Sequence, residues 1–161
     1  MATLTKTYDR AGEVDLRGFG GSLAAYAASV GILLAAGASR RRPLPERYAV
    51  GDVVLGGLAV HKFTRLASKS AVASPLRAPF TEFEEAAGSG EHVESARGDH
   101  GVRHTVGELL TCPFCLGVWV STAYVAALAL APRPARTWAA LFAVDAVSDF
   151  LQHGYERLRA D

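Results

Sequence analysis

Residues 18–39 read GFGGSLAAYAASVGILLAAGAS, 22 residues from Gly18 to Ser39 without a charged side chain. About 20 predominantly apolar residues in a helix cross the ~30 Å hydrocarbon layer of a membrane. A second block, residues 109–132, reads LLTCPFCLGVWVSTAYVAALALAP and runs 24 residues without a charge. Each block is long enough to cross. Shorter apolar runs between and after them supply two further helices. The expected fold is therefore all-α, an integral membrane bundle of about four transmembrane helices.

The rest of the composition agrees. The chain has 161 residues, half of them hydrophobic, and a net charge of +1. That length suits one domain. The balance of charge offers no pull toward nucleic acid, and the basic residues are local: Arg40, Arg41 and Arg42 follow the first block directly, as at a membrane boundary. The first block is a poor cleavable signal, since its apolar run exceeds the 7–15 residues of a signal core and follows 17 residues of mixed charge. An alanine-rich exit at Ala35, Ala36 and Ala38 is the one feature in favour of cleavage. The organisation reads as a polar N-terminal tail over 1–17, a membrane domain over 18–157 and a C-terminal tail over 158–161.

Within that domain the first helix spans about Phe19 to Ala38, with Gly21, Ala25, Ala28, Gly31 and Ala35 small enough for close helix approach in lipid. The tight Arg40–Arg47 connection that follows holds Pro43 and Pro45 and ends this helix. The second helix covers about Arg47 to Ala67. Its apolar centre, Val53 to Val60, is short, so it either spans, with Lys62 and Arg65 snorkelling to an interface, or lies on the surface. Residues 68–80 form an interfacial elbow broken by Pro75 and Pro79, with Arg77 placed for a phosphate headgroup or a helix end. Residues 81–104 hold six acids and almost no large apolar side chain, which predicts a disordered loop. The third helix is the second block. The fourth runs from about Thr137 to Tyr155 after a Pro132-Arg133-Pro134 turn.

Basic residues near helix ends set orientation. The two short connections hold six (Arg40, Arg41, Arg42, Arg47, Arg133, Arg136), and the side with both termini and the long loop holds eleven. The expected location is the cytoplasmic membrane, multi-pass, with cytoplasmic termini.

Two segments carry a resemblance. Arg65-Leu66, Lys69, Val72 and Ser74-Pro75-Leu76-Arg77-Ala78-Pro79-Phe80 form the first; Leu109-Leu110-Thr111-Cys112-Pro113-Phe114-Cys115-Leu116-Gly117-Val118-Trp119 form the second. In this order they resemble the signatures of the bacterial and phage membrane family called "domain of unknown function thirteen-sixty", over roughly residues 47–155. That family often has an acid where this chain has Ser70 and a base at Ala71, and residues 81–104 look like an insertion. The resemblance implies a polytopic membrane protein and no particular activity.

Three constellations are candidates for chemistry. In Cys112-Pro113-Phe114-Cys115, proline suits the first turn of a helix. Cys112 then sits at the cap, where the dipole favours thiolate, and Cys115 sits one turn further in. Such a pair serves thiol–disulfide exchange in glutaredoxin-like enzymes, or it is two packed thiols. Together with His100 and His104 the same cysteines make a four-ligand set for zinc. On the fourth helix, Asp145, Asp149 and His153 share one face, and ionisable groups at membrane depth face a partner or a watery path. Counting 1.5 Å per residue puts Asp149 level with Lys62, with Arg65 slightly deeper. Trp119 belongs to the second signature and to an aromatic anchor or core.

The sequence thus suggests a non-enzymatic membrane scaffold or accessory protein. Its partners would be the lipid bilayer and another membrane protein or a second copy, not nucleic acid, and no cofactor is required. The alternatives are a membrane thiol–disulfide oxidoreductase and a zinc-stabilised membrane module.

Overall fold

The computed structural model describes Tyr8, residues 14–39 and residues 45–160. Most of the expected N-terminal tail, the Arg40–Arg42 cluster and Pro43 lie outside the described residues. Six α-helices occur among the described residues, with one short antiparallel sheet. Two helices, Leu16–Ser39 (α1) and Pro113–Leu130, are long and apolar enough to cross a membrane.

Helix α1 begins earlier than expected because Asp15 caps it. The Asp15 carboxylate accepts the Gly18 N–H at 2.9 Å, satisfying a donor that the first turn leaves orphaned. The second helix, Val50–Lys69 (α2), leads through a 3₁₀ turn, Ala71–Ala73, into the single-turn helix Ser74–Arg77 (α3). Pro75 fits the first turn of α3, where its missing N–H costs nothing.

Residues 81–96 depart from the expectation of a disordered loop. Thr81–Gly88 (β1) and Glu91–Ala96 (β2) pair as an antiparallel hairpin, in register from Thr81 opposite Ala96 to Gly88 opposite Glu91. The turn takes positive φ at Gly88 (77°), Ser89 (49°) and Gly90 (72°); the two glycines adopt it without strain, and Ser89 adopts it between them. The fold is accordingly helical with a small sheet rather than all-α.

Val102–Thr111 forms α4, Pro113–Leu130 forms α5, and Pro132–Ala160 forms α6. The expected third helix is thus two helices meeting at Cys112, whose extended backbone (φ −104°, ψ 102°) separates them. Pro132 and Pro134 open α6 rather than forming a turn before it, again a first-turn placement. Helix α6 also runs on through the expected C-terminal tail as far as Ala160.

The chain divides into two compact units, residues 1–31 with 68–112 and residues 32–67 with 113–161. In the first, α4 packs on the hairpin at Gly107, where an added Cβ would fall on the Phe80 carbonyl oxygen and 3.0 Å from Ala96 Cβ. Asp15 joins the N-terminal end of α1 to this unit by accepting the Gly101 N–H at 2.9 Å. Those two backbone N–H donors, Gly18 first, hold the Asp15 carboxyl below its ordinary pKa.

In the second unit, α2, α5 and α6 pack through small side chains. Ala59, Tyr124, Leu128, Ala135 and Ala139 are buried together. Gly56 has no room for a side chain because a Cβ there would collide with the Tyr124 ring. Phe63, Trp138 and Phe142 add mutual ring contacts, with centroids 5.2–5.6 Å apart. Small residues of this kind let helix backbones approach where lipid supplies no hydrophobic drive. The outer faces are apolar: Val50, Val53 and Val54 on α2, Phe114 and Val118 on α5, and Leu141, Val144 and Leu151 on α6 are all exposed.

Candidate functional site

The first unit is organised around Arg77. Helix α3 turns the side chain inward, where it is 1% exposed, and it meets Glu94 of β2, whose side chain is 3% exposed. The guanidinium donates twice, Nε to Oε2 at 2.9 Å and Nη2 to Oε1 at 2.6 Å. Nη2 also reaches the Ser70 carbonyl at 3.1 Å. Thr81 Oγ1 donates to Oε2 at 2.7 Å and Ser74 Oγ to Oε1 at 2.9 Å. Arg77 foremost, with the Thr81 and Ser74 hydroxyls, holds the Glu94 carboxyl at about 2 against an ordinary 4.5, overcoming the cost of burial. A bidentate pair with its remaining lone pairs filled is the geometry in which a buried ion pair survives desolvation. Arg77 is therefore not presented to a headgroup, as the elbow reading had it; its ligand is a carboxylate of its own chain.

Beside the pair, Ser74 Oγ lies 3.0 Å from His92 Nδ1. A serine hydroxyl has one proton, and here Glu94 receives it. The sense of its contact with His92 depends on the imidazole tautomer. The arrangement fastens the elbow to the hairpin.

The second unit brings together three residues expected to meet. Lys62 on α2 is hydrogen-bonded to Asp149 and stands 3.4 Å from Asp145, both on α6. The Lys62 side chain is 11% exposed, whereas those of Asp145 and Asp149 are 46% and 43% exposed. His61, one residue before Lys62, stacks against Phe150 with ring centroids 6.4 Å apart. His153 pairs with Glu156 of its own helix at 3.8 Å rather than joining the lysine. Arg65 is exposed. Further along the same helices Arg136 grips Asp52 with two bonds of 2.8 Å, and Tyr124 donates to the Asp52 carbonyl at 2.8 Å.

The remaining candidates stand apart from these clusters. Cys112 and Cys115 are not joined in a disulfide; Cys112 is half-buried and Cys115 exposed. That order reverses the expected one, because Cys115 falls on the outward side of α5 beside exposed Phe114 and Val118. His104 approaches Glu108 of the same helix at 3.6 Å, and His100 is exposed. Among the described residues no group of three or more His, Cys, Asp or Glu side chains is placed to hold a metal ion, so the two histidines do not join the two cysteines as a ligand set. Trp119 is half-buried on α5.

Sequence reasoning missed Glu94, Ser74, Thr81 and the Asp52–Arg136 pair. A signal for the first three was present: Gly88-Ser89-Gly90 between two short runs is hairpin chemistry, and a hairpin places His92 and Glu94 on one face.

A family model described as "Protein of unknown function (DUF1360)" matches residues 55–155. The chain belongs to this family. The match takes in Arg77 and Glu94 as well as Lys62, Asp145 and Asp149, so both clusters of this DUF1360 member fall in the shared region. The sporulation protein YjcA of Bacillus subtilis (strain 168) is 31% identical over 103 residues, covering 62% of this chain and 86% of that protein. No solved structure matches the chain.

Proposed function

We propose that the protein is a four-span protein of the cytoplasmic membrane that acts as a non-enzymatic scaffold or accessory protein, with both termini cytoplasmic. The observation that carries this reading is the sidedness of α2 and α6. Neither is apolar enough overall to register as a span. However, four acidic or basic side chains (Asp52 and Lys62 on α2, Asp145 and Asp149 on α6) turn to a neighbouring helix while Val50, Val53, Leu141, Val144 and Leu151 point outward, although His61 and Arg65 on α2 and His153 on α6 are exposed. That is the inverse of a water-soluble helix pair and matches what lipid requires. Arg136 and Arg157 are 21 residues apart on α6, about 32 Å at 1.5 Å per residue, close to the ~30 Å hydrocarbon thickness.

The scaffold part of the reading follows from what the polar clusters do. Each of Arg77–Glu94, Asp52–Arg136 and Lys62–Asp149 joins two segments of the chain. The name of the sporulation relative suggests a developmental process as the setting. The test is topology mapping. Single cysteines introduced at Arg47, Ser89 and Arg157 in a cysteine-free background are labelled with impermeant maleimide from either side of the membrane. Protection of Ser89 and Arg157 in intact cells, with labelling of Arg47, is expected. Extraction of the protein by alkaline carbonate, or labelling of all three positions from one side, would overturn the reading.

A further inference from the structure

The elbow between α2 and the hairpin is inside out for a loop in water. Between Ala71 and Phe80 the exposed residues are Val72, Pro75, Leu76, Ala78 and Pro79, all apolar, while the one charged side chain, Arg77, is turned inward. Val72 is 90% exposed and Leu76 79%. They stand four residues apart on the consecutive turns Ala71–Ala73 and Ser74–Arg77, so they share one side. Residues 68–80 hold no acidic side chain. Arg103, also exposed, lies at the rim, its Nε donating to the Pro79 carbonyl at 2.7 Å.

On the spanning reading of α2, on which this inference rests, covalent geometry sets the depth of the elbow. Arg136 holds Asp52 at one boundary. Lys69, the last residue of α2, is 17 residues further on, about 26 Å at 1.5 Å per residue. The helix thus ends within ~4 Å of the far edge of a ~30 Å hydrocarbon layer. Val72, three residues on, lies at most ~11 Å from that end. We propose that the outer side of the elbow, Val72 and Leu76 foremost, docks on the membrane leaflet at which α2 ends, with these side chains just below the headgroups and Arg103 at the phosphates. Continuity with the end of α2 selects this occupant, and an apolar side with a cationic rim is what a lipid surface takes up. Arg77 stays out of the lipid: paired with Glu94, it ties the elbow to the hairpin while the outer side meets the membrane.

The experiment uses the full-length protein, with Cys112→Ser and Cys115→Ser, in liposomes of phosphatidylcholine and phosphatidylglycerol. A polarity-sensitive fluorophore is attached to one cysteine, introduced as Val72→Cys, Leu76→Cys, Ser95→Cys or Val144→Cys. All four positions are away from the packed core, so the replacements leave the fold intact. Ser95 alternates with Glu94 along β2 and so faces away from the elbow. Val144 lies about 12 Å along α6 from Arg136, deep in the proposed span. Nitroxides on lipid acyl chains quench from within the bilayer, and iodide quenches from water. A nitroxide just below the headgroups is expected to quench the Val72 and Leu76 probes roughly threefold more than the Ser95 probe, and iodide roughly threefold less. Iodide reaching both elbow probes as readily as Ser95 would overturn the proposal. So would shielding from iodide without nitroxide quenching, since protein rather than lipid then covers the elbow. The Val144 probe separates the two levels. No quenching there by a deep nitroxide means that the spanning reading fails, whereas a quenched Val144 with iodide-accessible elbow probes means that only the docking of the elbow fails.

Discussion

Replacing Glu94 by glutamine should release the hairpin from the elbow. The substitution leaves the Arg77 guanidinium 1% exposed with a neutral amide in place of its counter-charge. Removing one member of a buried ion pair costs about 3–5 kcal/mol. An independent route gives a similar figure. A carboxyl held at about 2 in the folded chain against 4.5 unfolded contributes about 3 kcal/mol at ~1.4 kcal/mol per pH unit. The sign follows from proton binding: between pH 4.5 and 2 the unfolded chain takes up the proton first. The stabilisation is complete above about pH 5 and is lost as pH falls through 4.5 toward 2. Hydrogen exchange of peptides covering residues 78–98, in detergent at pH 7, reads local opening directly. Glu94→Gln should speed exchange there by roughly 100-fold, since about 3 kcal/mol is two decades, with little change in α5 and α6. A double replacement, Arg77→Met with Glu94→Leu, should restore much of the protection because no charge is left buried. Unchanged exchange in Glu94→Gln, or a double variant no better than the single, would refute the view that the pair fastens the hairpin.

Other outcomes follow from the same geometry. Deleting residues 82–95 with a Gly/Ser bridge should reduce the folded yield sharply, because it strands Arg77; near-normal yield in detergent chromatography would count against the clamp. Gly56→Ala should lower stability by about 1–3 kcal/mol through overpacking on Tyr124, read as a lower melting temperature in detergent. In a double-mutant cycle of Lys62→Gln and Asp149→Asn, a coupling of about 1–3 kcal/mol is expected, and strictly additive losses would separate the two groups. Alkylation by a membrane-permeant maleimide should be faster at Cys115 than at Cys112, as judged from Cys112→Ser and Cys115→Ser compared under native conditions.

The two uncharged blocks needed no tertiary information. A helix satisfies its own backbone, so two long uncharged stretches are enough to predict two helices long and apolar enough to cross a membrane, although Cys112 divides the second stretch. The cap of α1 and the proline starts of α5 and α6 are equally local, because a carboxylate three residues from an N–H, or a ring lacking one, acts within a single turn. The level of Lys62 with Asp149 was also legible, since helical rise is constant and both helices could be counted from one side. What the sequence left undecided is everything that depends on long-range pairing. Residues 81–96 look disordered by composition because what orders them lies outside the segment: Glu94 meets Arg77, 17 residues away, and α4 packs on the hairpin at Gly107. The sidedness of α2 and α6 was likewise hidden, since an average over a helix cancels a polar face against an apolar one. Only packing decides which face meets protein, and so which charges are paired and which carboxylates stay half open.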